Sequence, residues 1–409
     1  MKRILLIAGE PSGDHSGAYL VQALRRRLPT ADLFGVGGEN MQAAGLRLIH
    51  NITELSVIGL VEPLIHLPRL LRVRNDLLRQ IAADQPDAIV FIDYPGFNLH
   101  LAKHVKRRWP HIPIIYFISP QIWAYWHWRI YTIRRVVDLM LVMFPFEVDI
   151  YERNGRFVRT ANGIRVTGRG WKQPAPLQVR CVGHWITTQI AQFQPDPTFL
   201  ARERIPPDRT IVALLAGSRQ NEITSIFPVM LQAAERLRCT HSHLLFLISC
   251  ARPTLRPLLD AVIARARIPQ FDTAYRVTES AMYDVLYHAH LVIAKSGTSA
   301  FEAALFHKPV IVLYRLNWFS ALALRLLARI PFVNLANIIA GRPIVPELLQ
   351  RQMTPERIAA TADAYLRDRQ LYERTVKDLA QVHDQLGHGD AGERAACEII
   401  AFLQRRNIL

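Results

Sequence analysis

LVIAKSGTSAFEAALFHKPVIVLY, residues 291–314, reads as strand, turn, helix and strand in direct succession. Leu291–Ala294 and Val310–Tyr314 are short apolar runs without polar alternation, and Ala300–Phe306 between them has helical composition. Strands that are apolar on both faces belong to parallel sheets covered by helices on each side. The connecting turn, Lys295–Glu302, is polar and carries Ser296, Gly297, Thr298 and Ser299. A Ser-Gly-Thr-Ser opening leaves amide N–H groups at a helix start, where the dipole favours an anion, and Gly297 permits close approach. A phosphate fits that description. Glu302, one turn further in, suits a carboxylate accepting the hydroxyls of a ribose diol. The plainer reading is a helix N-cap by Ser296 or Thr298. A nucleophile elbow is disfavoured because residues 297–301 lack the second glycine of G-x-S-x-G.

Outward from this unit the same alternation covers most of the chain. In the first half, Arg3–Ala8, Leu33–Gly35, Asp87–Ile92, Ile112–Ile118 and Val137–Val142 read as strands, with a helix at Ser16–Leu28. Ser56–Ala83 reads as a strongly amphipathic helix, broken around Pro63 and Pro68. In the second half, Thr210–Leu215 and His243–Ile248 are strands. Asn221–Leu237, Arg252–Ala266 and Ala281–His288 are helices, and Pro355–Leu409 has helical patterning only. Residues 154–179 are rich in Gly, Pro and Arg and read as a loop or hairpin insertion. Strand–helix alternation of this kind predicts doubly wound parallel sheets. We expect domains at residues 1–180 and 181–370, then a helical tail at 371–409 that packs back on the first domain.

A chain of 409 residues, half of them apolar, has material for two cores. Its four cysteines, Cys181, Cys239, Cys250 and Cys397, form no CxxC pair, which argues against a disulfide scaffold or a structural zinc site. No HExxH pattern appears among the 15 histidines, so no metal and no cofactor are expected; His15 and His184 stand near strand ends. The apolar run at the start is too short for a signal peptide, and no run approaches the ~18–20 residues of a spanning helix. The formal net charge is +16. No acidic residue occurs between Tyr94 and Val137 or between Arg153 and Pro195, while each stretch carries seven Lys or Arg residues. A basic, soluble surface is the plainer reading of that distribution; the alternative is anionic partners, and with no nucleic-acid-binding signature these would be phosphorylated substrates or an anionic membrane surface. The helix at Ser56–Ala83 and the stretch Trp318–Arg329 combine apolar faces with arginines, as interfacial helices do, although an ordinary core-facing helix shares that pattern.

Ligands of parallel α/β sheets bind at the carboxyl ends of strands. Four further strand ends carry polar turns: GEPSGD (9–14), DYPGFN (93–98), SPQIW (119–123) and AGSRQNE (216–222). Arg219, after Gly217 and Ser218, is suited to a bidentate contact with a diphosphate. Asp93, at the end of an apolar strand, is suited to act as a general base for a sugar hydroxyl, or to form a turn before Pro95. Glu10, Ser12 and Asp14 form a second polar turn that is neither a dinucleotide fingerprint nor a P-loop.

These turns, in this order, resemble the lipid-A-disaccharide synthase family. The resemblance runs through AGEPSGD (8–14), IDYPGFN (92–98), SPQIWAYWHWR (119–129), FPFEVDIY (144–151), VGH (182–184), LAGSRQNEI (215–223), SGTSAFEAAL (296–305) and NLANIIAGRPIVPELLQ (334–350). It implies a GT-B fold, two Rossmann-like domains facing a central cleft, with a helical C-terminal tail. It implies an inverting, metal-independent glycosyltransferase that joins UDP-2,3-diacylglucosamine to 2,3-diacylglucosamine 1-phosphate. By the same resemblance Asp93, with Glu10 and Ser12, is catalytic, and Gly217, Ser218, Arg219, Ser296, Gly297, Thr298, Glu302 and Asn337 hold the UDP-sugar. It further implies a peripheral enzyme on the cytoplasmic face of the inner membrane; a homodimer is an additional expectation. Ala216 and Ala336 stand where the family usually has proline, His290 replaces a common acidic residue, and Val158–Val179 resembles a basic insertion. Other GT-B sugar-nucleotide enzymes, a 2-epimerase among them, and a non-catalytic binding protein are the competing readings.

Overall fold

The computed structural model describes residues 2–54, 67–160, 163–168, 177–279, 281–315, 332–387 and 389–409. It divides into two compact units, one of Met1–Val158, Val166–Thr188 and His388–Leu409, the other of Arg159–Arg165 and Gln189–Gly387.

The first unit is built on strands β1 (Arg3–Ala8), β2 (Asp32–Gly37), β3 (Arg47–Asn51), β4 (Ala88–Ile92), β5 (Ile114–Phe117) and β6 (Leu139–Val142). A separate two-stranded ribbon, β7 (Arg156–Thr160) and β8 (Gly163–Thr167), precedes the return to the sheet as β9 (Gln178–Cys181). The sheet order is β3-β2-β1-β4-β5-β6-β9, and every neighbouring pair is parallel. Strands β4, β5 and β6 are buried at every residue, as the unbroken apolar runs predict.

The second unit repeats the plan with β10 (Thr210–Leu215), β11 (Leu244–Ser249), β12 (Tyr275–Thr278), β13 (Leu291–Lys295), β14 (Val310–Tyr314) and β15 (Glu347–Leu349). Its order is β12-β11-β10-β13-β14-β15, again all parallel. Alternate residues feed two cores: Val212 and Leu214 enter one face, Ile211, Ala213 and Leu215 the other. In both sheets the strand order reverses once near the middle, between β1 and β4 and between β10 and β13. Crevices at such reversals are where doubly wound sheets hold their ligands.

The C-terminal helices are shared between the units. Pro355–Arg367 and Arg369–Gln385 lie on the second, sending Ile358 and Ala362 into one core and Leu379 and Val382 into the other. Helix Ala391–Arg405 packs on helix Pro11–Arg27 of the first unit. Gly392 permits this approach, because a Cβ there would stand 2.7 Å from the Tyr19 backbone. Glu393 adds ion pairs to Arg26 and Arg27.

Of the amphipathic stretch Ser56–Ala83, the part from Leu67 onward lies in helix Leu67–Asp84, and residues 55–66 lie outside the described residues. The Trp318–Arg329 patch also lies outside them, as do residues 161–162 and 169–176 of the basic insertion. No helix among the described residues is long and apolar enough to cross a membrane.

Candidate active site

In the first unit Ala8 of β1 pairs with Ile92 of β4, so the turns Gly9–Asp14 and Asp93–Asn98 leave the sheet side by side. Asp93 and Tyr94 both have left-handed backbones, with φ of 47° and 45°. Consecutive residues in that region persist only when their surroundings fix them. The Asp93 N–H donates to the Phe117 carbonyl at 3.0 Å. The Asp93 carbonyl accepts from the Asn98 amide at 2.8 Å and from the Tyr116 hydroxyl at 2.6 Å, and Asn98 also donates to the Ile92 carbonyl at 3.2 Å. With its backbone held by buried Asn98 and Tyr116, Asp93 turns its side chain to a hollow of about 220 Å³ shared with Gln121, Tyr125, Trp126 and Arg129. Burial, reinforced by the negative charge of Glu10, pushes the Asp93 carboxyl up to about 6, against a hydrogen bond from the Tyr94 backbone. A carboxylate of that basicity is mostly ionised at neutral pH and accepts a proton more readily than an exposed one.

Glu10 lies exposed at the rim, its carboxyl raised by partial withdrawal from water. Ser12, two residues along, is also exposed. Asp14 is spent structurally: it is buried and accepts from the backbone N–H of Gly38 at 2.6 Å and of Met41 at 3.0 Å. His184 is buried among Phe144 and Trp185, desolvation lowers it to about 3, and its Nδ1 accepts the Ile186 N–H at 3.2 Å. It packs as a neutral ring. His15 packs edge-on against Tyr19 and Trp185.

In the second unit Leu215 of β10 pairs with Ala294 of β13, which sets the turns Ala216–Glu222 and Lys295–Glu302 beside each other. Lys295 Nζ meets Glu222 Oε1 at 2.7 Å, and the other carboxylate oxygen of Glu222 accepts the Ser218 N–H at 3.0 Å. Burial alone would raise Glu222, but Lys295 and that amide hold it below the ordinary carboxylate range. Gly217 has φ of +109°, and a Cβ on it would stand 2.4 Å from Glu222 Oε2. This packing presents Ser218 and Arg219, both exposed, just ahead of helix Gln220–Thr240. Helix Thr298–Leu305 starts behind Gly297, and no side chain caps it. Neither Ser296 nor Thr298 therefore acts as the N-cap. Buried Ser296 is fixed by its own N–H, which donates to the Leu313 carbonyl at 2.7 Å.

Glu302 lines a hollow of about 460 Å³ with Gln189, Phe193, Met282 and Tyr283. Burial raises its carboxyl to about 7, only partly offset by the Tyr283 hydroxyl at 3.1 Å. That same hydroxyl stands 3.0 Å from Gln189 Oε1, and its single proton can serve only one acceptor. Asn337 is buried and fully engaged: its amide donates to the Val345 carbonyl and Glu347, and its oxygen accepts from Ile344 and Val345 N–H, all at 2.8–3.0 Å. It secures the loop before β15.

Asn98, Tyr116, Arg129, Glu222, Lys295 and Tyr283 were not assigned roles from the sequence. Asn98 and Glu222 stand inside motifs quoted there, each a polar residue entering an apolar helix, which is the available signal. Tyr116 and Tyr283 are distant in sequence from what they hold.

A model of the family described as lipid-A-disaccharide synthetase matches residues 4–160 and 171–399. The chain belongs to that family. The lipid-A-disaccharide synthase of Geobacter metallireducens is 35% identical over 405 residues, covering 99% of this chain and 98% of its own. That of Anaeromyxobacter dehalogenans is 36% identical over 407 residues, covering 98% of each. Among solved structures, a putative UDP-N-acetylglucosamine 2-epimerase from Listeria monocytogenes aligns with a TM-score of 0.63 at 16% identity, covering 99% of this chain and 98% of its own. The calicheamicin glycosyltransferase CalG4 aligns with a TM-score of 0.59 at 16% identity, covering 99% of each. These last two speak for the fold alone, the GT-B pairing of doubly wound units. Membership in the lipid-A-disaccharide synthetase family makes the chain a glycosyltransferase of lipid A disaccharide synthesis, and sets the epimerase reading aside.

Proposed function

We propose that the chain transfers the diacylglucosamine of UDP-2,3-diacylglucosamine to the 6-hydroxyl of 2,3-diacylglucosamine 1-phosphate, with inversion at the anomeric carbon. The observation that carries the reading is the raised, backbone-pinned carboxyl of Asp93 at the strand reversal of its sheet. Asp93 takes the hydroxyl proton as the oxygen attacks C1, and the bond from C1 to the UDP oxygen breaks. Glu10 keeps Asp93 basic by its charge, and the exposed Ser12 hydroxyl is offered to the acceptor. Charge on departing UDP is taken up by Arg219, the Gly217–Ser218 turn and the amides opening helix Thr298–Leu305. Glu302 receives the ribose hydroxyls. Asn337 serves from behind, by holding the loop before β15, since its own hydrogen bonds are spent within the protein.

The acceptor half of the chemistry belongs to residues 1–180 and the donor half to 181–370, and the enzyme works as a peripheral protein on the cytoplasmic face of the inner membrane. A net charge of +16 and the exposed Trp126, Trp128 and Tyr131 support contact with an anionic lipid surface. The test is UDP release from acylated and unacylated donor, with and without the lipid acceptor. Release that needs both acylated partners is expected. Conversion of UDP-N-acetylglucosamine in the absence of any acceptor would overturn the reading.

A further inference from the structure

The hollow beside Asp93 also contains a cation. Arg129 lines it, half-buried, with its guanidinium stacked over the Trp126 ring at 4.3 Å. No acidic residue among the described ones pairs with it, and the sequence is free of Asp and Glu from Tyr94 to Val137. Removing water from a guanidinium without pairing it is unfavourable, so a half-buried guanidinium that faces a hollow and makes no ion pair there is suited to an anion. Stacking on an indole leaves the edge N–H groups of the guanidinium free to fork onto two oxygens, the geometry that recognises a phosphate.

Size decides which part of a ligand enters. A hollow of about 220 Å³ is smaller than the ~300–1,000 Å³ typical of sites that enclose a drug-sized molecule. It admits a phosphorylated sugar head group and leaves long acyl chains outside. Trp126, which lines it, is 56% exposed, and Trp128 and Tyr131 a few residues along the chain are 61% and 52% exposed, aromatic surface of the kind that lies along lipid. The opposed charges of the pocket then orient the head group. A phosphate is repelled by the Asp93 carboxylate and held by Arg129, which leaves a neutral hydroxyl of the same sugar to Asp93.

We propose that Arg129, braced by Trp126, binds the 1-phosphate of the acceptor and is the residue that makes the enzyme select a phosphorylated acceptor. The assignment rests on the transferase reading above. The test compares 2,3-diacylglucosamine 1-phosphate with its unphosphorylated counterpart as acceptors, following UDP release, in the unaltered chain and in Arg129→Gln. The unaltered chain is expected to favour the phosphorylated acceptor by at least 20-fold in kcat/KM. Arg129→Gln is expected to raise KM for the phosphorylated acceptor by a similar factor, leave the unphosphorylated one within threefold, and leave UDP affinity unchanged. Arg129→Lys, which keeps the charge and loses the fork, serves if the glutamine variant does not fold, and is expected to show a smaller rise confined to the phosphorylated acceptor. Equal losses on both acceptors, or no change on the phosphorylated one, overturns the assignment of Arg129 while leaving the transferase reading standing. Turnover of neither acceptor by the unaltered chain overturns both.

Discussion

The Lys295 ammonium stands 2.7 Å from the Glu222 carboxylate, joining the turn after β13 to the turn after β10 where the second sheet reverses its order. Two segments more than seventy positions apart in sequence, the turns proposed to hold the diphosphate, are thereby locked together. Lys295→Met leaves Glu222 half-buried without its cation. A stability loss of about 1–3 kcal/mol is expected at pH 8, with UDP binding weakened about tenfold, one charge-assisted hydrogen bond's worth. Glu222 is held below its ordinary value, so the stability it contributes is present above pH ~4.5 and fades as pH falls through the lower folded value. The two proteins should therefore converge in denaturant unfolding at acid pH. A difference that persists undiminished at pH 3 would refute the ion-pair origin.

Asp93→Asn should lower kcat by about 10²–10⁴ while UDP affinity stays unchanged. With Asp93 at about 6, the unaltered enzyme should gain activity as pH rises through that value, and the variant should lose this limb. The stability effect has the opposite sign. A carboxyl raised on folding destabilises its ionised form, and that penalty grows above pH ~4 and is complete above pH ~6. Asp93→Asn should then be more stable than the unaltered protein at pH 8, by up to about 3 kcal/mol, and no more stable at pH 4. Thermal unfolding across pH reads this directly.

Gly217→Ala places a Cβ 2.4 Å from Glu222 Oε2 at a φ of +109°. The strain is expected to cost about 1–3 kcal/mol and to shift Ser218 and Arg219. Calorimetry should show UDP affinity falling by more than tenfold, with kcat on saturating donor less affected. An alanine variant with unaltered UDP affinity would mean that this turn does not carry the diphosphate.

Asn98→Ala removes the amide that holds the Asp93 and Ile92 carbonyls. Two consecutive left-handed residues would then be free to relax, and the carboxyl of Asp93 with them. We expect kcat to fall about 10–100-fold, UDP affinity to be retained, and the pH limb near 6 to move toward lower pH as the carboxyl gains access to water. A loss of activity with the pH profile unmoved would point to general damage instead.

The strands that escaped the sequence share a position. β3, β12, β9 and β15 are the outermost strands of the two sheets, and their burial is partial, with none of the unbroken buried runs of β4 or β13. Edge strands cover less core, so their residues are mixed and no apolar run marks them. Central strands are nearly unbroken apolar runs because both faces are covered, and Thr210–Leu215 and Val310–Tyr314 were legible to the residue. Helix starts were less so: the helix expected from Ser16 begins at Pro11, inside the polar turn, because a Pro at the first position suits a helix whose missing N–H has no partner there.

By itself the sequence determined the alternation of buried strands and helices, the polar turns at strand ends, and the ordered motifs that place the chain in its family. Those properties are local, written in apolar runs and in short stretches of Gly, Ser, Asp and Arg. Which turns become neighbours was decided only by the tertiary structure. Strand order set Asp93 beside Glu10 and Glu222 against Lys295, and packing buried the Asp93 and Glu302 carboxyls far enough to raise them. The same packing consumed Asp14 and Asn337 in holding loops, and left Arg129 in a hollow without an ion-pair partner among the described residues. Desolvation and charge pairing depend on what surrounds a group in space, and no motif spacing records that.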